Sequence, residues 1–162
     1  MLPELGVLYR DHAAAVWRYT RSRLPTDADA EDVTSDVFAR AMRSTHTYDA
    51  QKGTPRAWLV GIARYAVADF WRRRRPEDPV ATPPDASDND DPADALLRQD
   101  AIVGVQGALA VLSERELEAV ALRFGAELSS REVGAHLGIS DTAARMLVHR
   151  AVTKLRGVML DD

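Results

Sequence analysis

The chain of 162 residues contains no cysteine. That excludes a disulfide framework and any thiolate metal site, and it fits a reducing compartment. No apolar run reaches the length of about 20 residues that a membrane-crossing helix needs. The opening stretch, MLPELGVLYRDH, carries acidic residues and lacks the basic-then-apolar layout of a signal peptide. The expectation is a soluble, cytoplasmic protein with no direct membrane contact. Histidines number only 4 (His12, His46, His136, His149), and their spacing matches no metal-ligand pattern. A phosphate-cradling glycine loop and a nucleophile elbow are both missing. Nothing points to catalysis, a metal or a cofactor, and no strand-like run or internal repeat stands out.

Net basic charge is lacking too: the balance is −4, which by itself argues against a simple nucleic-acid binder. Its distribution says more. Residues 1–75 hold 13 Lys/Arg against 9 Asp/Glu, residues 76–100 hold 1 against 8, and residues 129–156 hold 5 against 2. Two basic zones flank an acidic bridge, the asymmetry expected of a chain that meets nucleic acid at two places.

What is present is helical periodicity. Ser129 to Arg156, SSREVGAHLGISDTAARMLVHRAVTKLR, carries the strongest pattern. Ser129 and Glu132 form a capping box, Gly138 sits where a helix must turn, and Ser140 caps a second helix to about Arg156. Val133, Leu137, Ile139, Ala144 and Leu147 then fall where a helix-turn-helix needs its core, and Gly134 lets the helices approach. The same register turns Arg131, Ser140, Asp141, Thr142, Arg145, Met146, His149 and Arg150 outward, toward base edges and phosphates. The competing interpretation is a helical hairpin with a solvated basic face.

The other segments follow in order. A helix from Pro3 to Leu24 carries the stripe Leu5, Leu8, His12, Val16 and Tyr19. Thr26 and Asp29 make a capping-box pattern for a second helix, with Ala30, Val33, Val37 and Ala41 inward. Phe38 and Met42 extend that stripe or face a partner. The other face is acidic: Glu31, Asp32, Ser35 and Asp36. Residues 44–53 read as a polar loop with one aromatic, Tyr48. Thr54-Pro55 starts a third helix that runs to about Arg75. Leu59, Ile62, Ala66 and Phe70 stripe it. Arg56, Trp58, Arg64, Tyr65, Trp71, Arg72 and Arg73 form a basic and aromatic set suited to phosphates and unpaired bases. Trp58 as a core residue is the alternative.

Residues 76–94, rich in proline and acid, cannot pack a core and read as a flexible acidic linker. A second helical domain, 95–162, opens with a helix to about Leu112. Ser113 and Glu116 then cap a helix ending at Phe124, with Gly125 as its stop. The expected fold is all-α: two small helical domains, a bundle over 1–75 and a helix-turn-helix domain over 95–162.

The order of parts resembles the extracytoplasmic-function (ECF, group 4) sigma factors of bacterial RNA polymerase. Ala30-Glu31-Asp32-Val33 through Val37-Phe38 resembles that family's motif on the helix that binds the polymerase clamp. Ala57-Trp58-Leu59, Ile62-Ala63-Arg64, Asp69 and Arg72-Arg73 resemble the part that melts and reads the minus-ten element. Leu112–Arg123 and the helix-turn-helix, closing on His149-Arg150-Ala151 and Leu155-Arg156, resemble the domain that reads the minus-thirty-five element.

The resemblance implies a non-enzymatic initiation factor. Glu31, Asp32, Ser35, Asp36 and Phe38 would contact the beta-prime clamp of core RNA polymerase, with the beta flap as a second contact. Tyr48, Arg56, Trp58, Arg64, Tyr65, Trp71, Arg72 and Arg73 would meet melted promoter DNA, an extruded base being held at loop 44–53. The linker would thread the RNA exit path, and an anti-sigma factor is an implied partner. Ser35 stands where the family usually has glutamine, Tyr65 where it has asparagine. Thr142-Ala143-Ala144-Arg145-Met146-Leu147 replaces the usual Gly-Thr-Val-Lys-Ser-Arg, which implies an atypical upstream element or reading through DNA shape. The rival is an autonomous helix-turn-helix regulator of duplex DNA, for which no dimer seam is evident; an enzyme with a cryptic site ranks last.

Overall fold

The structure, a computed structural model, describes residues 2–74 and 109–160. The expected linker and the helix expected before Leu109 lie outside the described residues.

Three helices form the first half: α1 (Leu5–Arg23), α2 (Asp27–Arg43) and α3 (Pro55–Arg74). Each packs on the other two. Leu24-Pro25 ends α1 because the residue before proline is driven to extended backbone, and Leu24 has φ −122° and ψ 156°. Thr26 accepts a hydrogen bond from the Asp29 amide, so the expected cap forms, on its first half only. The inward stripe of α2, Ala30, Val33, Val37 and Ala41, is buried as its spacing dictates. Phe38 resolves to the core as well: it is 5 % exposed, with Tyr9 packed edge-on to its ring at 5.0 Å. Thr20 and Thr34 share a buried hydroxyl contact of 2.9 Å between α1 and α2. Arg40 ties α2 to α3 by pairing with Asp36 at 2.9 Å and Asp69 at 3.0 Å. A single 3₁₀ turn, Thr45–Thr47, begins the loop to α3.

The second half holds α4 (Glu114–Val120), α5 (Ser130–Leu137) and α6 (Asp141–Leu160). Both expected capping boxes close in full, Ser113 with Glu116 and Ser129 with Glu132. One expectation fails. Gly125 does not stop α4. The regular helix ends at Val120 and widens into a π turn, Ala121–Gly125, closed by the Ala126 amide on the Ala121 carbonyl at 2.9 Å. The left-handed residue comes later and is not glycine: Glu127 has φ 57°. That conformation costs a residue with a Cβ about 1–2 kcal/mol, so something must hold Glu127 there.

The helix-turn-helix is as its sequence dictates. Gly138 takes φ 70° at the turn. Ser140 accepts from the Ala143 amide at 3.0 Å and starts α6. Val133 and Ala144 are buried between α5 and α6, with Leu137, Ile139 and Leu147 packed against them. A Cβ on Gly134 would sit 2.7 Å from the Ile139 carbonyl oxygen and 3.1 Å from that of Ser140. Only glycine permits this approach.

The two halves are not separate bodies. One hydrophobic cluster runs through both, from Leu8, Val16, Tyr19 and Leu59 to Leu122, Leu128 and Val133. The π turn lies directly on α1.

Gly134→Ala is expected to destabilise the chain by about 1–3 kcal/mol, because backbone must move to admit the methyl group. Thermal unfolding followed by circular dichroism would show the lowered Tm; an unchanged Tm would mean that the turn yields without cost.

Candidate nucleic-acid interface

Three surfaces carry the residues singled out from the sequence. On α2, Glu31, Asp32 and Ser35 are exposed, and the half-buried Asp36 is engaged by Arg40. They form one acidic strip of a helix face. Phe38 does not share it, because the same helix buries that ring in the core.

The outer face of α6 and its approach form the second surface. Arg131, Ser140, Asp141, Thr142, Arg145, Met146, His149 and Arg150 are all exposed. Arg145 meets Asp141 one turn back at 3.4 Å, a solvent-exposed pair that is easily given up. Among the described residues the face therefore presents cationic and hydrogen-bonding groups with no competing protein partner of consequence.

The third surface, around α3, is divided. Tyr65 is 75 % exposed, and Trp71, Arg72 and Arg73 lie at the outer end of the helix. Trp71 donates its indole N–H to the Arg23 carbonyl at 3.1 Å, which fixes the ring. Tyr48 and Trp58 stack edge to face at 5.7 Å, and the Trp58 indole donates to Thr47 Oγ1 at 3.1 Å. Trp58 lines a cleft of about 230 Å³ with Thr47, Lys52, Glu132 and His136. Trp58 is thus neither a fully buried core residue nor a free stacking platform.

Arg56 and Arg64 are occupied. Arg64 Nε donates to Glu118 Oε1 at 3.0 Å and its Nη1 to the His136 carbonyl at 2.7 Å. Arg56 Nη1 donates to Glu127 Oε2 at 3.1 Å and its Nε to His12 Nδ1 at 3.2 Å. Both glutamates belong to the second half of the chain. Arg18 joins them, donating to Glu127 Oε1 and the Gly125 carbonyl at 2.9 Å each. Two arginines on Glu127 account for its left-handed backbone. Glu118 is the most enclosed of these carboxylates, its side chain 13 % exposed. It accepts from the Tyr19 hydroxyl at 2.8 Å and pairs with Arg23 at 3.2 Å. Burial, then the Glu118 carboxylate, raises the Tyr19 phenol well above its usual range. Glu132 closes the series by accepting from Thr54 Oγ1 at 2.6 Å.

Sequence reasoning placed Arg56 and Arg64 correctly on one helix but missed their glutamates. It also missed the imidazole at this junction. His136 donates its Nε2–H to the Ala57 carbonyl at 3.0 Å. Burial and then the Arg64 guanidinium lower its pKa.

Comparison with known proteins decides the family. A Sigma-70 region 2 profile matches residues 8–77 and a Sigma-70 region 4 profile matches residues 108–157. The ECF RNA polymerase sigma factor ShbA of Streptomyces griseus is 32% identical over 154 residues, covering 87% of this chain and 80% of its own. The chain belongs to the ECF RNA polymerase sigma factors. The ECF sigma factor BldN of Streptomyces coelicolor is 34% identical over 160 residues, but this chain spans only 61% of its length. Among solved structures, CnrH in complex with the cytosolic domain of CnrY is 25% identical, with a TM-score of 0.70 over 98% of this chain and 88% of that one. In sigma-factor terms the junction joins region 2 to region 4, and the occupied arginines belong to region 2.

The pH dependence of the region 2–region 4 junction follows from His136 together with His12, whose pKa burial and then the Arg56 guanidinium also lower. The unfolded imidazole binds its proton near pH 6.5, the folded one only at lower pH. Between these values the unfolded state holds more protons, so stability falls as pH falls below about 6.5. Tm measured between pH 7.5 and 5.5 should drop in the natural chain and drop less in His136→Gln, whose amide can keep the Ala57 bond. Equal slopes would remove His136 from the junction's energetics.

Proposed function

We propose that this chain is a cytoplasmic initiation factor that binds core RNA polymerase, directs it to a two-element promoter and helps to open the DNA. The observation that supports it best is the coexistence, on one chain, of an acidic α2 strip, a basic aromatic α3 and an exposed recognition face on α6. An autonomous duplex-DNA regulator needs only the last of these.

In this proposal Glu31, Asp32, Ser35 and Asp36 meet the beta-prime clamp, where their charge complements a basic coiled coil. Phe38 supports them from beneath, since its ring is buried against Tyr9. Region 4 takes the beta flap. Tyr48, Trp58, Tyr65 and Trp71 offer aromatic faces to unpaired bases, and Arg56, Arg64, Arg72 and Arg73 neutralise the strand's phosphates. Strand separation then proceeds by capture of bases as they unstack, with no covalent step. The recognition helix α6 enters the major groove at the minus-thirty-five element, with Arg145, His149 and Arg150 nearest base edges and phosphates. Arg131, Ser140, Asp141, Thr142 and Met146 complete that footprint. Residues 76–94 join the two DNA-binding domains. An anti-sigma factor is a further partner in this proposal; CnrH, solved with the cytosolic domain of CnrY, is the related case.

Co-purification with core polymerase tests the proposal. The natural chain should be retained and Asp32→Arg lost, with an unchanged circular dichroism spectrum. Retention of Asp32→Arg at equal affinity would contradict the clamp contact. Arg145→Ala should keep polymerase binding but lose about 1–3 kcal/mol of promoter discrimination, the range for an arginine on guanine. Unaltered promoter preference would take Arg145 out of the footprint.

A further inference from the structure

We propose that Arg40 is a positioning residue for promoter DNA: it takes up half of the Asp69 carboxylate, so that Asp69 steers Arg72 toward phosphate without capturing it. The inference rests on the assignment of Arg72 to single-stranded DNA made above. It names a residue outside that set on which Arg72 depends.

Asp69 is out of place on a helix end assigned to phosphate. It lies one turn before Arg72 and Arg73, and a carboxylate there repels a DNA strand. Its two oxygens are shared out. Oδ1 meets Arg72 Nη2 at 3.0 Å, and Oδ2 meets Arg40 Nη2 at 3.0 Å. Arg40 is in turn anchored on α2, where its Nε donates to Asp36 Oδ2 at 2.9 Å. Four side chains of alternating charge thus cross from α2 to α3. The hydrogen bond from Arg40 holds the Asp69 carboxyl below the usual carboxylate range.

The division of Asp69 leaves Arg72 usable. A guanidinium carries five N–H donors in a fixed fork. One nitrogen of Arg72 is held, which orients the group, and its side chain stays 73 % exposed. Arg40, at 26 %, is the better shielded of the two, so its pairing resists salt more. Arg74 shows what an arginine here does without such a restraint. It folds back, its guanidinium carbon 4.4 Å from the centre of the Phe70 ring and its Nη2 3.7 Å from Asp29. Were both Asp69 oxygens free, Arg72 would close a two-bond pair on them, the favoured geometry for arginine and carboxylate. That pair would be neutral, with little pull on a phosphate. Arg40 prevents it by occupying Oδ2 and offsetting the charge.

Holoenzyme assembled from this chain and excess core RNA polymerase tests the inference. The probe is a fluorescent promoter fragment, taken from a transcript start that the chain directs, with the non-template strand unpaired across the opened segment. Affinity is measured over a range of salt, with core polymerase alone as the blank. Each phosphate contact to a single strand contributes about 0.7 to the slope of log K against log salt. Arg72→Ala should lower the slope by about 0.7 and weaken binding about tenfold. Arg40→Gln should match it in both respects, although Arg40 touches no DNA. The double variant Arg40→Gln/Arg72→Ala should be no worse than Arg72→Ala alone. Asp69→Asn added to Arg40→Gln should restore the natural slope, because the amide can hold Arg72 without a charge. A merely structural Arg40 would give additive losses and no rescue. Asp69→Asn by itself should tighten binding about threefold, a check that does not depend on the folding of Arg40→Gln.

A natural slope in Arg40→Gln, a failed rescue, or weaker binding by Asp69→Asn overturns the inference while the proposed function stands. A natural slope in Arg72→Ala overturns it too, and places the failure in the assignment of Arg72 to DNA.

Discussion

Everything at the centre of this molecule defers to the Glu118 carboxylate. A carboxylate so enclosed is costly unless its oxygens are met by donors, and here Tyr19, Arg23 and Arg64 meet them. Tyr19 in turn is fully enclosed by α1 packing and needs a partner for its hydroxyl. The network therefore fixes α4 against α1 and α3 at once. Removing Glu118 leaves the buried Tyr19 hydroxyl without a partner and takes one carboxylate from Arg23 and Arg64 together, which is why such networks act as units. The π turn that follows α4 carries the backbone round to Glu127, where two arginines hold a conformation that its Cβ disfavours.

The same arginines thus have two sets of partners within reach of one chain. Against glutamate they close the molecule; against phosphate they would hold DNA. Neither set wins by chemistry alone, since a carboxylate and a phosphate offer arginine similar paired acceptors. Connectivity and concentration decide. The carboxylates are tethered to the same chain and always near.

Local rules were legible in the sequence because they operate within a few residues. Ser129-x-x-Glu132 closed as a box, Gly138 took its positive φ, and Thr54-Pro55 began a helix. The helix-turn-helix face on α6 followed from the same arithmetic. What the sequence concealed depends on distance along the chain. Arg18 meets Gly125 across 107 residues, and an arginine on a helix face looks the same whether it meets water or glutamate. Phe38 was undecidable by periodicity because burial needed Tyr9 from another helix. Gly125 misled because glycine after an apolar run is a common helix stop, while the π turn was set by packing on α1. The acidic face of α2 and the basic face of α3 were both legible, but only the structure revealed which of their charges are free.

Transcription of a genomic fragment library by core RNA polymerase, with and without this chain, tests the central claim most directly. The account predicts a set of transcripts that appear only when both components are present and that share a pair of upstream sequence elements at a fixed spacing. Transcripts unaffected by the chain, while it retards duplex DNA by itself, would contradict the account and favour an autonomous regulator.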